Sequence, residues 1–305
     1  MMTKRIKMTW LDVVILGVLI AFIAYLGYRV DAVLKYKWAW LRVLPYLLRW
    51  DETQHRWVLG LLVEGLLTTI RLACWGILLA AAIGLVFGVC RTARSLFLRL
   101  VAGVYVGFVR NIPPLVFIFL FYFFLSNQLI PLLGVSQITH GLTPGESGLL
   151  QVLFGKPDLL PNFVTGLLCL AIFEGAYITE IVRAGIQSIP KGQWEGGRSL
   201  GLNHFQILRN VILPQALRNV LPPLASQFIM LIKTSSIVSL ISIQELTFIA
   251  NDIASSSFHV FEVWLIAAAM YLMICYSCAA SFDRIGKRQS TMNQRNFSQN
   301  SFAVS

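Results

Sequence analysis

The sequence contains few charged residues. Asp, Glu, Lys and Arg make up 13% of its 305 residues, whereas an average soluble domain has about 25%. Hydrophobic residues make up 57%, against roughly 45–50% in soluble domains. This excess of apolar surface indicates a chain that lies mostly in lipid, and no shift in composition divides it into separate soluble domains.

Several motifs of catalysis and nucleotide binding are missing. The sequence has no GxxxxGK[ST] phosphate loop and no HExxH zinc motif, and its four histidines are scattered. These absences exclude P-loop ATP hydrolysis and HExxH metalloprotease chemistry in this chain. The five cysteines lie in apolar segments, and Cys275 and Cys278 form a CxxC without a second pair. We interpret them as small apolar packing residues, because free cysteine is usually a buried hydrophobe.

Six apolar stretches are long enough to cross a bilayer, which takes about 20 residues. They cover residues 10–29, 58–89, 100–125, 161–185, 214–242 and 261–281. The first follows Lys4, Arg5 and Lys7, like a signal peptide, but its length and the lack of an A-x-A site favour an uncleaved span. We predict an all-α membrane protein with three parts. These are a first helix with an external interfacial loop (1–57), a core of five spans (58–285) and a disordered cytoplasmic tail (286–305).

The distribution of basic residues predicts the orientation. With both termini inside, the cytoplasmic segments carry 15 Lys and Arg residues and the external segments carry 7. This bias follows the positive-inside rule and predicts an N-in, C-in, multi-pass protein. The +11 net charge is therefore explained by topology. No basic face with interleaved aromatics is present, so we expect the lipid bilayer, and no nucleic acid, as a partner.

Ionisable groups within spans are costly, so they are candidates for function. Glu64, Arg71, Glu174 and Lys233 fall within the predicted spans. Either they line a pathway or they form structural ion pairs. Two proline pairs interrupt apolar segments and predict breaks in the helices: Pro113-Pro114, just after Arg110, and Pro222-Pro223. The segment KTSSIVSLIS adds Lys233, Ser235 and Ser236 as a polar stripe, although serines in helices often bond only to their own backbone.

A polar, glycine-rich segment separates the fourth and fifth spans. It reads PKGQWEGGRSLGLNHFQILRNVILP from Pro190 to Pro214. We predict a helix from Trp194 to Leu200, a C-cap at Gly201 and a capping box formed by Asn203 and Gln206. A second helix should run to about Val211, and Pro214 should restart the chain toward the membrane. We expect this segment to dock into a groove of a soluble protein, and the alternative is a loop that rests on lipid headgroups. The expected apolar anchors are Leu200, Leu202, Phe205 and Leu208, and the expected charged rim is Glu195, Arg198 and Arg209.

The spacing within this segment resembles the EAA loop of ABC importer permeases. Three residues separate Glu195-Gly196-Gly197 from Gly201, and nine residues separate Gly201 from Val211-Ile212-Leu213-Pro214. The flanking GAYITEIVRAGIQSIP, LPQALRNVLPPL and RNIPPLV resemble the polar amino acid permeases, over about residues 58–283. Gly196 and Gly197 replace the two alanines. Each glycine costs roughly 1 kcal/mol in a helix, so the first coupling helix should be softer or shorter.

The resemblance implies the fold of a type I ABC importer permease with a cytoplasmic coupling helix, in a bacterial cytoplasmic (inner) membrane. It implies three protein partners: an ABC ATPase, an extracytoplasmic solute-binding protein and a second permease subunit, identical or similar. The chain itself would then be no enzyme and bind no cofactor, with ATP and Mg in the ATPase. Coupling to the ATPase would rest on Glu195, Gly196, Gly197, Gly201, Leu202 and Pro214. The substrate pathway would involve Arg110, Pro113, Pro114, Glu174, Tyr177, Glu180, Lys233, Ser235 and Ser236.

The expected activity is alternating-access import of polar amino acids, with the similarity leaning toward glutamate and aspartate carriers. An ion-coupled secondary amino acid transporter is the main alternative, because intramembrane Glu64, Glu174 and Arg71 would suit it. It gives no reason for the EAA-like spacing. A membrane-embedded enzyme lacks a catalytic motif, and a non-transporting scaffold would not copurify with an ATPase.

Overall fold

The computed structural model describes residues 9–34, 36–52, 55–135 and 144–302. The chain forms two compact units, Met1–Arg42 and Val43–Ser305. The first unit contains α1 (Trp10–Leu34), which is apolar on all sides, as expected for a helix surrounded by lipid. The sequence had placed the corresponding boundary at residue 57. The short helix α2 (Trp40–Val43) lies at the boundary between the units.

The second unit is helical apart from one hairpin. Its strands are β1 (Leu48–Asp51) and β2 (Arg56–Leu59). Its helices are α3 (Leu61–Thr92), α4 (Leu96–Asn111), α5 (Pro114–Leu120), α6 (Asn127–Leu132), α7 (Pro144–Phe154), α8 (Leu160–Gln187), α9 (Lys191–Ser199), α10 (His204–Ile207), α11 (Leu213–Thr234), α12 (Leu246–Ser257) and α13 (Val260–Phe302). Two π-helical stretches join helices end to end, Phe121–Ser126 between α5 and α6 and Leu208–Ile212 between α10 and α11.

Six helical stretches of the described chain are long and apolar enough to span a membrane, which confirms the predicted number. They are Trp10–Arg29, Leu61–Thr92, Pro114–Leu132, Pro157–Gln187, His204–Ile241 and Val260–Arg284. The predicted third span, residues 100–125, was wrong in its bounds. The helix is interrupted between Asn111 and Pro114, so α4 is a separate helix and the span begins at Pro114.

The two proline pairs behave differently. Pro113 and Pro114 end one helix and start the next, as predicted, because a proline at a helix start has no N–H to leave unpaired. Pro222 and Pro223 lie inside the continuous helix α11, so the predicted second break is wrong. The helix as a whole packs against α3, α8 and α13, while the two prolines themselves are exposed.

The core of the unit is the crossing of α3 and α8. Gly84 and Gly88 of α3 are buried, and a Cβ atom on Gly88 would lie 2.6 Å from the Cβ of Val182. A Cβ on Gly84 would meet Ile178 in the same way. Small residues let helix backbones approach closely in membranes, where lipid gives helices little hydrophobic drive to associate. These glycines therefore set the distance between the two central helices.

The end of helix α7, together with Lys156 just after it, is held to α3 by polar contacts. Lys156 Nζ lies 2.8 Å from Glu64 Oε2, and Arg71 Nε donates to the Val152 carbonyl at 2.9 Å. Trp75 donates to the Leu153 carbonyl at 3.2 Å. The positive charge of Arg71 at the C-terminus of α7 also interacts favourably with the helix dipole. The ionisable residues of the second span thus hold an external helix, in agreement with the structural alternative given for Glu64 and Arg71.

Two details of the fold were not predicted. The external loop contains a hairpin in which Trp50 pairs with Trp57, and Leu48 with Leu59, across the strands. These four side chains share one face and are exposed. At the other end, α13 continues to Phe302, so the expected disorder of residues 286–302 differs from the helical backbone found there. That segment contains no proline, and Gly286 at its start is its only glycine, so no proline interrupts the helix.

Candidate functional site

The EAA-like segment, residues 191–214, is two helices joined by a tight turn. Helix α9 ends in a Schellman motif: Gly201 N–H bonds to the Arg198 carbonyl at 2.9 Å and Leu202 N–H to the Gly197 carbonyl at 3.2 Å. Gly201 has φ +74°, the left-handed conformation that favours glycine. The prediction that Gly201 ends the helix is confirmed, although the C-cap itself is Leu200 and Gly201 is the left-handed residue that follows it.

The second helix begins with the predicted capping box. Asn203 Oδ1 accepts from the Gln206 N–H at 2.9 Å, and Gln206 Oε1 accepts from the Asn203 N–H at 2.9 Å. The helix then continues through the π-helical stretch into α11, so the prediction that Pro214 restarts the chain is wrong. Pro214 lies in the first turn of α11, where proline is tolerated. The turn is thereby joined to the fifth span by helix throughout.

The exposed surface of this segment is smaller than predicted. Leu200 and Phe205 are 78% and 66% exposed. Leu208 is buried, and Leu202 packs against the same cluster, which also contains Ile207. Glu195 is exposed. The available docking surface therefore comprises Leu200, Phe205 and Glu195, while Leu202 and Leu208 hold the segment to the spans.

The two glycines that replace alanine differ in their surroundings. Gly196 is exposed, and a Cβ atom on it would have no neighbour within 4 Å. Gly197 is buried, and a Cβ atom on it would lie 2.8 Å from Ile207 Cγ1. Gly197 thus permits close packing of α9 on α10. The predicted shortening of the first helix is not observed, since α9 runs from Lys191 to Ser199.

Gly196→Ala and Gly197→Ala should consequently have opposite effects on stability. The first removes a helix-interior glycine in open space and should stabilise the protein by up to about 1 kcal/mol. The second must displace Ile207, so overpacking costing about 1–3 kcal/mol should cancel or exceed that gain. The melting temperatures of the two purified variants measure the difference. Equal shifts would contradict the role assigned to Gly197.

A polar cavity of about 720 Å³ lies between α8 and α11. Its charged and polar lining residues are Arg110, Tyr177, Glu180, Arg183, Ser188, Asn219 and Gln227. The Arg110 guanidinium lies 5.2 Å from the centre of the Tyr177 ring, a cation–π contact. The cavity thus brings together three of the predicted pathway residues, Arg110, Tyr177 and Glu180.

Glu180 is held by two arginines. Arg183 Nη2 lies 2.7 Å from Glu180 Oε2, and Arg91 Nη2 lies 3.2 Å from Glu180 Oε1. The guanidinium of Arg110 forms no ion pair within the described chain, so the groups around the cavity carry more positive than negative charge. An anionic group entering it would find an unpaired arginine.

Glu174 is buried next to the cavity. Its carboxylate accepts a hydrogen bond from Gln227 Nε2, and only 1% of the residue is exposed. Gln227 lines the cavity, so its amide lies between Glu174 and the cavity. Glu174 therefore fixes the orientation of a lining residue and does not itself line the cavity.

The remaining predicted pathway residues lie elsewhere. Pro113 and Pro114 form the break after Arg110, and none of Lys233, Ser235 and Ser236 lines the polar cavity. Ser235 Oγ donates to the Ile232 carbonyl at 2.7 Å, and Ser236 Oγ to the Lys233 carbonyl at 2.7 Å. These serines bond to their own helix backbone, the ordinary behaviour considered for them.

One face of α11 carries uncharged polar side chains, two of which, Asn219 and Gln227, line the polar cavity. Gln215, Asn219 and Gln227 are spaced by four or eight residues, which places them on one helix face. Gln215 donates to Gln193 of α9 at 3.0 Å, and Asn219 donates to Ser188 Oγ at 2.9 Å. This stripe connects the EAA-like segment, the end of α8 and the polar cavity.

A second buried carboxylate was also missed. Glu245 caps α12 by accepting from the Phe248 N–H at 2.9 Å, and it accepts from the Tyr271 hydroxyl at 2.7 Å and from Thr69 at 3.2 Å. It thereby joins α12 to α13 and α3. Glu245 lies after the predicted fifth span, so it is not among the ionisable residues that fall within predicted spans.

Comparisons with known proteins identify close relatives. The family model described as "Binding-protein-dependent transport system inner membrane component" matches residues 76–291. The chain is 34% identical over 235 residues to the probable glutamine ABC transporter permease protein GlnP of Bacillus subtilis (strain 168), covering 76% of the chain and 95% of that protein. It is 28% identical to the arginine ABC transporter permease protein ArtQ of Escherichia coli (strain K12), covering 74% and 94%.

A solved structure shares the architecture. It is described as "Crystal structure of an amino acid ABC transporter with histidines" and is 29% identical to this chain. The TM-score is 0.62, over 83% of this chain and all of the other. The match thus extends over the whole length of the solved chain.

Proposed function

The chain belongs to the family of binding-protein-dependent transport system inner membrane components, and from this we propose that it is the membrane-spanning subunit of an ATP-driven importer of polar amino acids. Its six spans have the type I ABC importer permease fold. The single observation that carries the proposal is the EAA-like segment. It presents an exposed turn and continues as helix into a span that lines the polar cavity.

The segment gives the permease a place to meet an ATPase subunit. Leu200 and Phe205 offer exposed apolar contacts, and Glu195 a charge, on a turn fixed by the Schellman motif and the capping box. ATP and Mg would bind in that partner, and a solute-binding protein would deliver the cargo outside. A second permease subunit, identical or similar, would complete the pathway in a bacterial inner membrane.

The polar cavity suits a cargo that carries carboxylates. Arg110 has no carboxylate partner in the described residues, and Arg183 and Arg91 already neutralise Glu180. The α-carboxylate common to all amino acids can bind Arg110, and a second carboxylate would gain further from the positive excess. We therefore place glutamate and aspartate first among the cargoes, ahead of glutamine and arginine, for which the relatives are named.

Reconstitution tests the proposal. The chain is placed in liposomes with its ATPase and solute-binding protein, and uptake is measured with a panel of labelled amino acids. We expect uptake that requires ATP on the ATPase side and survives collapse of the proton and sodium gradients. Uptake without the ATPase that disappears with those gradients would instead establish the ion-coupled alternative.

The variant Arg110→Gln should lower uptake by about tenfold or more, because the charge-assisted hydrogen bond between the arginine and the cargo carboxylate is lost. Stimulation of the ATPase by the loaded binding protein is measured in parallel. Arg218→Gln is the matched control, since Arg218 is exposed and lies outside both the cavity and the EAA-like segment. Equal uptake by the two variants would show that Arg110 does not take part in the substrate pathway.

A further inference from the structure

A second cavity lies on the face that the charge distribution assigns to the cytoplasm. We call it the basic cavity; it has a volume of about 490 Å³. A water molecule takes up roughly 30 Å³ of liquid, so the cavity has room for a group much larger than one water. Its cationic lining residues come from three helices and are Arg91, Arg99, Lys191 and Arg198. The neighbouring polar cavity has a different set of lining residues.

The charges around the basic cavity are unbalanced. Glu195 is the one carboxylate among its described lining residues. Arg91 also reaches Glu180 on its other side, at 3.2 Å. Four cations therefore surround a space that holds one carboxylate, and their mutual repulsion favours an anion there.

Two buried polar atoms at this cavity have no hydrogen-bond partner. They are Nε of Arg91 and Nδ1 of His204. Arg91 is packed tightly, since its Nη1 would lie 3.0 Å from a Cβ atom on Gly103. The His204 ring is stacked on Trp194, with ring centroids 5.1 Å apart. Unsatisfied buried polar atoms are uncommon and call for an explanation, and an oxygen-rich anion in the cavity would supply acceptors.

The surface beside the cavity indicates which anion. Helix α4 starts at the cavity with Arg99 in its first turn, and its outward face is apolar and exposed. That face consists of Leu96, Phe97, Leu100, Val101, Val104 and Phe108. In a membrane, such a face contacts acyl chains. A phosphate in the basic cavity and chains along α4 are the two ends of one phospholipid.

We infer that the basic cavity binds the phosphate headgroup of an anionic phospholipid from the adjacent leaflet, with its acyl chains along α4. The lipid connects Lys191 and Arg198 of the EAA-like segment to Arg91 and Arg99 at the α3–α4 junction. This role is independent of the cargo and of ATP-driven transport, so its failure leaves the proposed function untouched.

Native mass spectrometry of the complete chain tests the inference, with equal amounts of phosphatidylglycerol and phosphatidylcholine added. We expect phosphatidylglycerol to be retained about 10- to 30-fold more strongly, since each basic residue near a lipid phosphate contributes to the attraction. The double variant Arg99→Gln/Lys191→Gln should lose this preference. Both side chains are exposed, and neither takes part in an ion pair in the described chain.

The matched control is Arg209→Gln/Arg218→Gln, which removes the same charge from exposed sites outside the cavity. It should keep the preference. Equal retention of the two lipids by the wild type, or the same loss in both double variants, overturns the inference. Size-exclusion profiles verify that the variants are folded. If Arg99→Gln removes the binding of phosphatidylglycerol, Arg99→Lys should keep most of it, because lysine keeps the charge.

Two further arms separate the sources of the anion. Soluble glycerol phosphate should not displace the lipid at millimolar concentration, because it lacks acyl chains; displacement would mean a site for a soluble anion. The measurement is repeated with the ATPase assembled on the chain. Retention of phosphatidylglycerol in that complex supports the lipid site, and its loss on assembly would assign the basic cavity to the ATPase interface.

Discussion

Gly201→Asp is expected to lower ATP-dependent uptake by more than about tenfold while the protein still inserts and folds. The turn tolerates the change locally, because aspartate adopts the left-handed conformation more readily than most residues and a Cβ atom at Gly201 meets nothing within 4 Å. The new carboxylate lies at the exposed turn where we propose that the ATPase docks. Burying an unpaired charge in such an interface is strongly unfavourable.

Gly201→Asn is the matched control for shape. It has nearly the same size and the same tolerance of positive φ, but no charge, so it should keep most of the uptake. Uptake and ATP hydrolysis are measured together in proteoliposomes. Normal uptake by the aspartate variant would argue against docking at this turn. An equal loss of uptake in both variants would mean that the altered backbone conformation, and not the added charge, causes the loss.

A marked loss of stability is expected from Gly88→Ala. The new methyl group would lie 2.6 Å from both Cβ and Cγ1 of Val182 and 3.1 Å from the Thr179 carbonyl oxygen. The Val182 Cβ is fixed to the backbone and cannot rotate away, so α3 and α8 must move apart. Overpacking of this kind costs about 1–3 kcal/mol, and it should lower the melting temperature of the detergent-solubilised protein.

Gly107→Ala provides the comparison. Gly107 is also helical, in α4, but a Cβ atom there has no neighbour within 4 Å. This change should leave the melting temperature unchanged or raise it, since alanine favours helix by about 1 kcal/mol. Similar melting temperatures for the two variants would mean that the α3–α8 crossing can relax at little cost.

The sequence was most informative where local chemistry decides the structure. The left-handed Gly201, the capping box of Asn203 and Gln206 and the break before Pro114 each depend on a few neighbouring residues, and all were predicted. It was less informative where distant segments decide. Pro222 and Pro223 lie inside a continuous helix that packs on three others, and the local rule for proline takes no account of such packing.

The candidate site divides in the same way. The charges within spans pointed to Glu64 and Arg71, and the structure shows that these residues hold the end of α7 and Lys156. Their partners lie some 80 to 90 residues away in sequence, so no local pattern indicates them. Arg110, Tyr177 and Glu180 do meet around one cavity. Gln227 was overlooked, since an uncharged amide is not conspicuous until its neighbour Glu174 is seen to bind it.

The uninterrupted helical path from His204 to Thr234 has a mechanical consequence. It covers roughly 30 residues and so is on the order of 45 Å long. Val220, which lies between Gln215 and Gln227 along this path, packs so closely on Gly185 of α8 that a Cβ atom on the glycine would overlap Val220 Cγ2. If that contact acts as a fulcrum, the path is a lever. A tilt of about 5° would shift its ends by ~4 Å relative to each other. A displacement of the His204 end would then move Gln227 in the opposite direction.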